Sequence, residues 1–304
     1  MTPFNLSETE QYLQWRCVQL PRYQITELYM ALGGIPFYLK YIESGKSSTQ
    51  LIDSLCFKKD APLQEEYYQL YASLFKNSEV HEKIVEILSN KSQGLTRQEI
   101  LQETKLANGT LSRTLEESIE CDFVGIFQPF GHKKKDSIYK LTDNFSLFYA
   151  KFIKNQTLTN QGVWQALSKE QSYKTWSGFA FENVCMQHLS QILKGLGING
   201  IHINAFSWKT QAKNGLAETQ IDLLIDRADK CINLCKAKFS NDNYMITKDY
   251  STNLRMKKSI FQQVTQTKKA IFTTLITPFP AIKNEHYLDQ ISQEINLDAL
   301  FEKD

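Results

Sequence analysis

The hydrophobic rhythm of the chain changes along its length. Apolar residues recur at three- and four-residue spacing through "SETEQYLQWRCVQL", "TELYMALGG", "IPFYLKYIESG", "SSTQLIDSLCF" and "PLQEEYYQLYASLF", the period of amphipathic helices. Ser7, with Glu10 three residues on, is placed to cap the first of these. Gly33-Gly34 followed by Pro36 is a helix stop, because glycine accepts the turn past the last helical residue and proline cannot continue it. Residues 1–78 are therefore expected to form a small helical bundle. Its aromatic stripe of Tyr67, Tyr68, Tyr71 and Phe75 is expected in the core and at interfaces.

Residues 79–151 read differently. "HEKIVEILSN" is an amphipathic helix. "TRQEILQET" follows with Thr96 as cap and Glu99 as its capping-box partner, then the short turn "KLANG" and the helix "TLSRTLEESIE". After these, "DFVGIFQPFGHKKKDSIYKL" reads as two strands around the turn at Pro129-Phe130-Gly131, with a basic tip. Three helices followed by a hairpin make a winged helix-turn-helix. In that arrangement Asn108, Thr110, Ser112 and Arg113 would face bases, and His132, Lys133, Lys134 and Lys135 would reach phosphates. Glu116, Glu117 and Glu120 on the same helix oppose a DNA backbone, and the alternative role is domain packing.

A polar helix or linker, "NQTLTNQGVWQALSKEQ", leads into the last segment, residues 152–304. "WSGFAFENVCMQHLSQILKGLG" is a long helix closed by glycines, and "INGIHINAFSW" is a strand. "TQIDLLIDRAD" and "KCINLCKAKFS" form a hairpin. "RMKKSIFQQVTQTKK" is a helix with a basic face and "AIFTTLITPF" a buried strand; the tail "DQISQEINLDALF" is a final apolar segment. The fold class is thus multi-domain α and α/β, with a helical bundle, a winged helix and an αβββαβ domain. Within "INLCKAKF", Lys236 and Lys238 lie two apart and share a face, while Asp222 stands among Ile221, Leu223 and Leu224 on the preceding strand. A charge among apolar neighbours is costly without a partner. The alternative is an edge charge that discourages strand pairing.

Bulk composition narrows the classes. At 304 residues with 42% hydrophobic content and a net charge of +2, the chain is ordinary for a globular protein, so any basic surface is local. No apolar run approaches a membrane span. The polar start "MTPFNLSETEQYLQW" is unlike a secretory signal, and the expectation is a cytoplasmic protein. Six cysteines with no histidine at zinc-ligand spacing are expected to be reduced, buried thiols. Neither G-x-x-x-x-G-K-[ST] nor G-x-G-x-x-G occurs, so ATP is not bound by those routes.

Glu182 in "GFAFEN", Asp222 in "QIDLLIDR" and Lys238 in "NLCKAKF" together resemble the PD-(D/E)XK nuclease superfamily. The resemblance implies a helix glutamate and a strand aspartate that hold Mg²⁺, with Lys238 as the motif lysine. The superfamily's second strand acid falls at position 236, where this chain has lysine. More widely, "YMALGGIPFYLKYIESGKS", "LYASLF", the winged helix and the nuclease-like motifs in order resemble the C-terminal two-thirds of a bacterial and archaeal AAA-type ATPase family. This resemblance implies an ATPase core on a separate chain or absent, and gives Gly33, Gly34 and Pro36 the family's lid motif. Mg²⁺ needs hard oxygen ligands, and an ammonium at position 236 removes one and adds repulsion. The expected function is therefore a DNA-associated protein with a degenerate, inactive nuclease-like domain. Two alternatives stand beside it. One is an active Mg²⁺-dependent endonuclease in which Glu218 or Asp226 supplies the missing acid. The other is a protein-interaction remnant that regulates a partner.

Overall fold

The computed structural model describes residues 3–91, 93–154, 156, 162–210 and 217–303. The Lys134 side chain and residues 155 and 157–161 of the expected linker lie outside the described residues. The chain divides into two compact units, Met1–Ile126 with Ile138–Asn183, and Phe127–Ser137 with Val184–Asp304.

In the first unit, α1 (Leu6–Trp15) begins earlier than the Ser7 cap expected from sequence. Asn5 is the cap: its Oδ1 accepts from the Glu8 amide at 2.8 Å and the Glu8 carboxylate accepts from the Asn5 amide at 2.8 Å. Ser7 lies inside the helix and is buried. The reciprocal pair satisfies two otherwise orphaned amides, which decides the register. α2 (Arg22–Leu32) ends at Gly33, whose φ of 66° suits a residue without Cβ, and Pro36 opens α3 (Pro36–Leu39). Gly34 answers a different need. A Cβ there would sit 1.8 Å from the Phe4 carbonyl oxygen, because the Phe4 amide donates to the Gly34 carbonyl at 2.8 Å.

The bundle continues through α4 (Ser48–Ile52) and a π-helical turn at Asp53–Phe57, then α5 (Glu66–Leu74) and α6 (Ser78–Ser89). β1 (Leu95–Thr96), α7 (Arg97–Thr104), α8 (Asn108–Glu120), β2 (Val124–Phe127) and β3 (Ile138–Leu141) follow. The three strands form a small sheet in the order β1-β3-β2, and the Thr96–Glu99 capping box starts α7. α9 (Asn144–Phe148), a π-helical turn at Tyr149–Ile153, α10 (Val163–Leu167) and α11 (Gln171–Gln187) come next. Their aromatic side chains share one core: Phe57 stacks on Trp164 at 5.8 Å, and Trp176 lies 5.3 Å from Phe148.

Buried Asp53 ties distant parts of this unit together. Its two carboxylate oxygens accept from the Gly162 and Trp164 amides, each at 2.9 Å. These are orphan donors at the start of α10, so a carboxylate far away in sequence does the work of an N-cap.

The second unit holds α12 (Leu189–Gly195), β4 (Ile203–Thr210), β5 (Thr219–Arg227), β6 (Cys231–Ala237), α13 (Lys248–Thr265), β7 (Ala270–Thr277), α14 (Glu285–Gln290), β8 (Gln293–Asn296) and α15 (Leu297–Leu300). Its sheet runs β4-β5-β6-β7-β8, antiparallel through β6 and parallel from β6 to β8. The expected helix at "RMKKSIFQQVTQTKK" starts earlier, at Lys248, because Thr247 supplies the cap to the Tyr250 amide. The apolar tail adds β8 and α15 to this unit. One side of the sheet packs Leu224, Ile232, Leu234 and Ile271 with Ile260 and Phe261 of α13.

A polar network crosses the sheet. Asn233, fully buried, donates to Thr274 Oγ1 at 3.0 Å and Gln293 Oε1 at 2.5 Å, and accepts from Arg227 at 3.2 Å. Asp229 in turn holds the Arg227 guanidinium through both oxygens. Because these bonds join β5, β6, β7 and β8, a register slip of any one strand would strand a buried donor. The cysteines are all free, but Cys17 and Cys121 are exposed, against the expectation of uniform burial. Among the described residues no helix is long and apolar enough to cross a membrane.

Two outcomes follow from the first unit. Asp53→Ala should cost about 3 kcal/mol in chemical denaturation, since two buried amides lose a charged acceptor, and Asp53→Asn should recover part of it. Glu27 accepts from Ser48 Oγ at 2.6 Å and Tyr173 Oη at 3.3 Å, and burial holds its carboxyl above the ordinary range. The folded state thus binds that proton more tightly than the unfolded chain, so this contribution to stability falls as pH rises from about 4 through the raised value. Glu27→Gln should flatten that part of a melting-temperature-against-pH curve.

Candidate functional site

β5 carries three carboxylates four residues apart, Glu218 just before it and Asp222 and Asp226 within it. Each meets a lysine from a different neighbour. Lys209 of β4 lies 3.1 Å from Glu218, Lys236 of β6 lies 2.5 Å from Asp222, and Lys269 ahead of β7 lies 2.5 Å from Asp226. The central pair is the most enclosed, with Asp222 and Lys236 side chains 14% and 19% exposed. Opposite charges this close and this sheltered are far less screened than a surface pair.

The local backbone explains how Asp222 reaches that position. Phe206 pairs with Leu224 and Trp208 with Ile221, so Ser207 alone stands opposite both Asp222 and Leu223. This is a β-bulge, which re-aims side chains at the extra residue. Both oxygens of Asp222 are then engaged from within the chain: Lys236 Nζ donates to Oδ2 at 2.5 Å, and Gln220 Nε2 donates to Oδ1 at 2.8 Å. Lys257 of α13 donates to the Gln220 carbonyl at 3.2 Å, fixing the helix over this part of the strand. Lys238 continues β6 by one bond, its amide donating to the Ile276 carbonyl, and its ammonium lies 5.0 Å from the Tyr250 ring centroid. Burial raises the Tyr244 hydroxyl above the ordinary phenol range, and the Lys236 charge pulls it back.

Asp222 and Lys236 therefore come together as the strand pairing requires, and Lys238 follows on the same strand. Glu182 lies on α11 in the first unit, half-buried. The donor set on the sheet does not fit Mg²⁺: Asp222 is occupied at both oxygens, and the two acids flanking it on β5 have lysine partners. Among the described residues no cluster of three or more His, Cys, Asp or Glu side chains could hold a metal ion.

The expected DNA-reading residues are partly engaged elsewhere. Arg97 donates to Asn108 Oδ1 at 3.2 Å, the Asn108 carbonyl at 3.1 Å and Ser112 Oγ at 2.9 Å. Thr110 is half-buried, and its carbonyl accepts from Thr114 Oγ1 at 2.9 Å. Arg113 is exposed and lies 3.8 Å from Glu117. Glu117 is also 2.9 Å from Nε2 of buried His81, whose ring stacks on Phe75 at 3.7 Å.

The basic loop Phe127–Ser137 falls in the second unit, while α8 falls in the first. Phe130 packs on Phe206 and Phe261 at 5.5 and 5.6 Å, and its amide donates to the Ser207 carbonyl at 2.9 Å. The loop thereby extends the sheet past its edge strand β4, next to the bulge. His132, Lys133 and Lys135 are exposed on it, with His132 3.9 Å from Asp136.

Sequence reasoning missed Gln220, Arg97, Lys269 and Phe130. Gln220 was accessible, since it stands two residues from Asp222 on one strand. An aromatic at a turn tip such as Phe130 also signals a docked loop. Arg97 and Lys269 carried no local signal, because their partners are distant in sequence.

Comparison with known proteins adds little. The chain is 25% identical over 174 residues to the uncharacterized protein MJECL04 of Methanocaldococcus jannaschii. That match covers 56% of this chain and 39% of the relative, so the chain spans well under half of that protein. No protein family and no solved structure matches the chain.

The Asp222–Lys236 pair has a measurable worth. Lys236→Ala should lower the free energy of unfolding by about 3 kcal/mol in chemical denaturation, because it leaves a sheltered carboxylate without its cation. The apolar double variant Asp222→Leu/Lys236→Met should recover most of that loss in the same denaturation assay.

Proposed function

We propose that the protein is a DNA-associated relative of an AAA-type ATPase family, with a winged helix and a PD-(D/E)XK nuclease-like domain that does not cleave. The observation that carries this reading is the closure of Asp222. A strand aspartate, with a lysine two residues beyond its partner on the next strand, is the pattern of the nuclease-like resemblance. Here the partner itself is Lys236, and it fills the carboxylate that a metal would need. Without that metal, nothing in the site lowers the pKa of an attacking water or neutralises the charge that develops on phosphate. The exposed Lys133 and Lys135, beside His132, offer positive charge to a phosphate backbone without a means to break it.

Support for DNA association is strongest on the loop and the sheet and weaker on α8. Asn108 and Ser112 are held by Arg97, so base reading there would require Arg97 to release them. Arg113 is the most exposed candidate on that helix.

The test is a cleavage assay on supercoiled and linear DNA with Mg²⁺ or Mn²⁺, run beside Lys236→Glu, with DNA binding followed across a salt series. The expected result is binding that weakens steeply with salt, no cleavage by the native protein and cleavage by Lys236→Glu. Cleavage by the native protein would show that another acid completes the site. Absence of both binding and cleavage would turn the reading toward a protein partner.

A further inference from the structure

Arg97 fixes which hydrogen-bonding groups the start of α8 can offer. Its guanidinium donates to Asn108 Oδ1 at 3.2 Å, to the Asn108 carbonyl at 3.1 Å and to Ser112 Oγ at 2.9 Å. A guanidinium can only donate, so the Asn108 atom that faces it is the oxygen. The Nδ2 amide of this exposed residue points away from Arg97 as a donor.

Ser112 is set in the same sense. Thr114 and Ser118 on the same helix donate their hydroxyl protons to carbonyls one turn back, at 2.9 and 2.7 Å. The carbonyl one turn back from Ser112 is that of Asn108, and Arg97 already meets it. Ser112 Oγ accepts from the same guanidinium and keeps its own proton to donate. Asn108 and Ser112 lie four residues apart on one face of α8, with Arg113, a further donor, exposed beside them. The charges around this turn are mixed. Arg97, Lys105 and Arg113 stand with Glu99 and Glu103, and Glu99 is bound in the α7 capping box. Glu116 and Glu120 are exposed further along α8, while Glu117 lies against His81. Net charge therefore does not select a ligand here, and hydrogen-bond polarity does.

We infer that Arg97 sets α8 to read guanine, by presenting the Asn108 amide and the Ser112 hydroxyl as a pair of donors to a base edge in the major groove. The inference rests on the DNA-associated reading and adds a base preference to it. Guanine is the base whose major-groove edge carries two acceptors, N7 and O6, and no donor. Adenine sets N7 beside an amino group, and asparagine reads it by donating and accepting together. Asn108 cannot accept while Arg97 occupies Oδ1, so release by Arg97 is needed to read adenine but not guanine. Cytosine offers a donor, and thymine one acceptor beside a methyl group. A carboxylate-rich protein segment would match the donors but bring full charges against Glu116 and Glu120, where a base edge brings neutral acceptors.

Selection from duplexes of about 20 base pairs with a randomised centre, followed by fluorescence anisotropy on the best binder, tests this. The native protein is expected to enrich guanine and to bind about tenfold more weakly when the selected guanine is replaced by adenine. Replacement by 7-deazaguanine, which lacks the N7 acceptor, should cost about threefold. Arg97→Ala should move the enrichment from guanine to adenine, because it releases Asn108 Oδ1. A side chain that merely clamped α7 to α8 would instead weaken every sequence alike. Asn108→Ala should erase the preference while Arg97 keeps Ser112, a second reading that does not depend on the first variant. Neither position is buried, so circular dichroism and melting curves should show both variants folded. Duplex binding without guanine enrichment, or enrichment unchanged in Arg97→Ala, overturns the inference and leaves the DNA-associated reading intact. Absence of binding to any duplex overturns both, and capture of a labelled oligoglutamate in its place would assign the face to an acidic protein partner.

Discussion

A polar group removed from water needs a partner, and in this protein the partners come from elements distant in sequence. Asp53 caps α10 across more than a hundred residues, and Asn233 is held at once from β5, β7 and β8. The three carboxylates of the β5 stretch draw lysines from three different elements. The buried ones, at Asp53, Asn233 and Asp222, cost chain entropy to assemble and leave a severe penalty if broken, whereas the exposed Lys209–Glu218 pair contributes little. The apolar cores supply the bulk of the stability, while these contacts fix which strand lies beside which.

The same constraint shapes the chemistry of the sheet. A carboxylate on a bulged strand can serve a metal only while its oxygens are open. Supplying the neutralising cation from a side chain stabilises the fold and occupies the carboxylate at the same time. Lys236 is thus both a structural solution and a chemical commitment. An ammonium is a fixed, saturable charge with three donors, whereas a divalent ion accepts several oxygens and activates water. In a sheet built around the first, the carboxylate is closed to a metal by the chain's own lysine.

Much of this was legible in the sequence, for identifiable reasons. The Thr96 capping box, the Gly33-Gly34-Pro36 stop and the hairpin from Thr219 to Ala237 rest on short-range rules, and each stands as read. That Asp222 and Lys236 lie on neighbouring strands followed from the hairpin, whereas the bulge that re-aims Asp222 left no signal. The first helix start was misplaced because Ser7–Glu10 and Asn5–Glu8 are equally good capping pairs by spacing, and only the observed bonds separate them. β8 was missed because it is four residues long and its hydrogen-bonding partner is a parallel strand. Arg97 on Asn108, Lys269 on Asp226 and Asp53 on α10 were beyond reach. Side-chain pairing between remote segments leaves no periodic trace.

The docked loop at Phe130 carries a consequence for how the molecule is made. Phe130 leaves the ribosome before Phe206 and long before Phe261, the rings that cover it. Synthesis from the N-terminus therefore holds an aromatic residue on a basic turn uncovered until Phe206 and then Phe261 have emerged. During that interval the nascent chain presents Phe130, followed by Lys133, Lys134 and Lys135, to whatever binds such segments. β4, the first strand of that sheet to be made, and then α13 close over a loop that was already waiting for them.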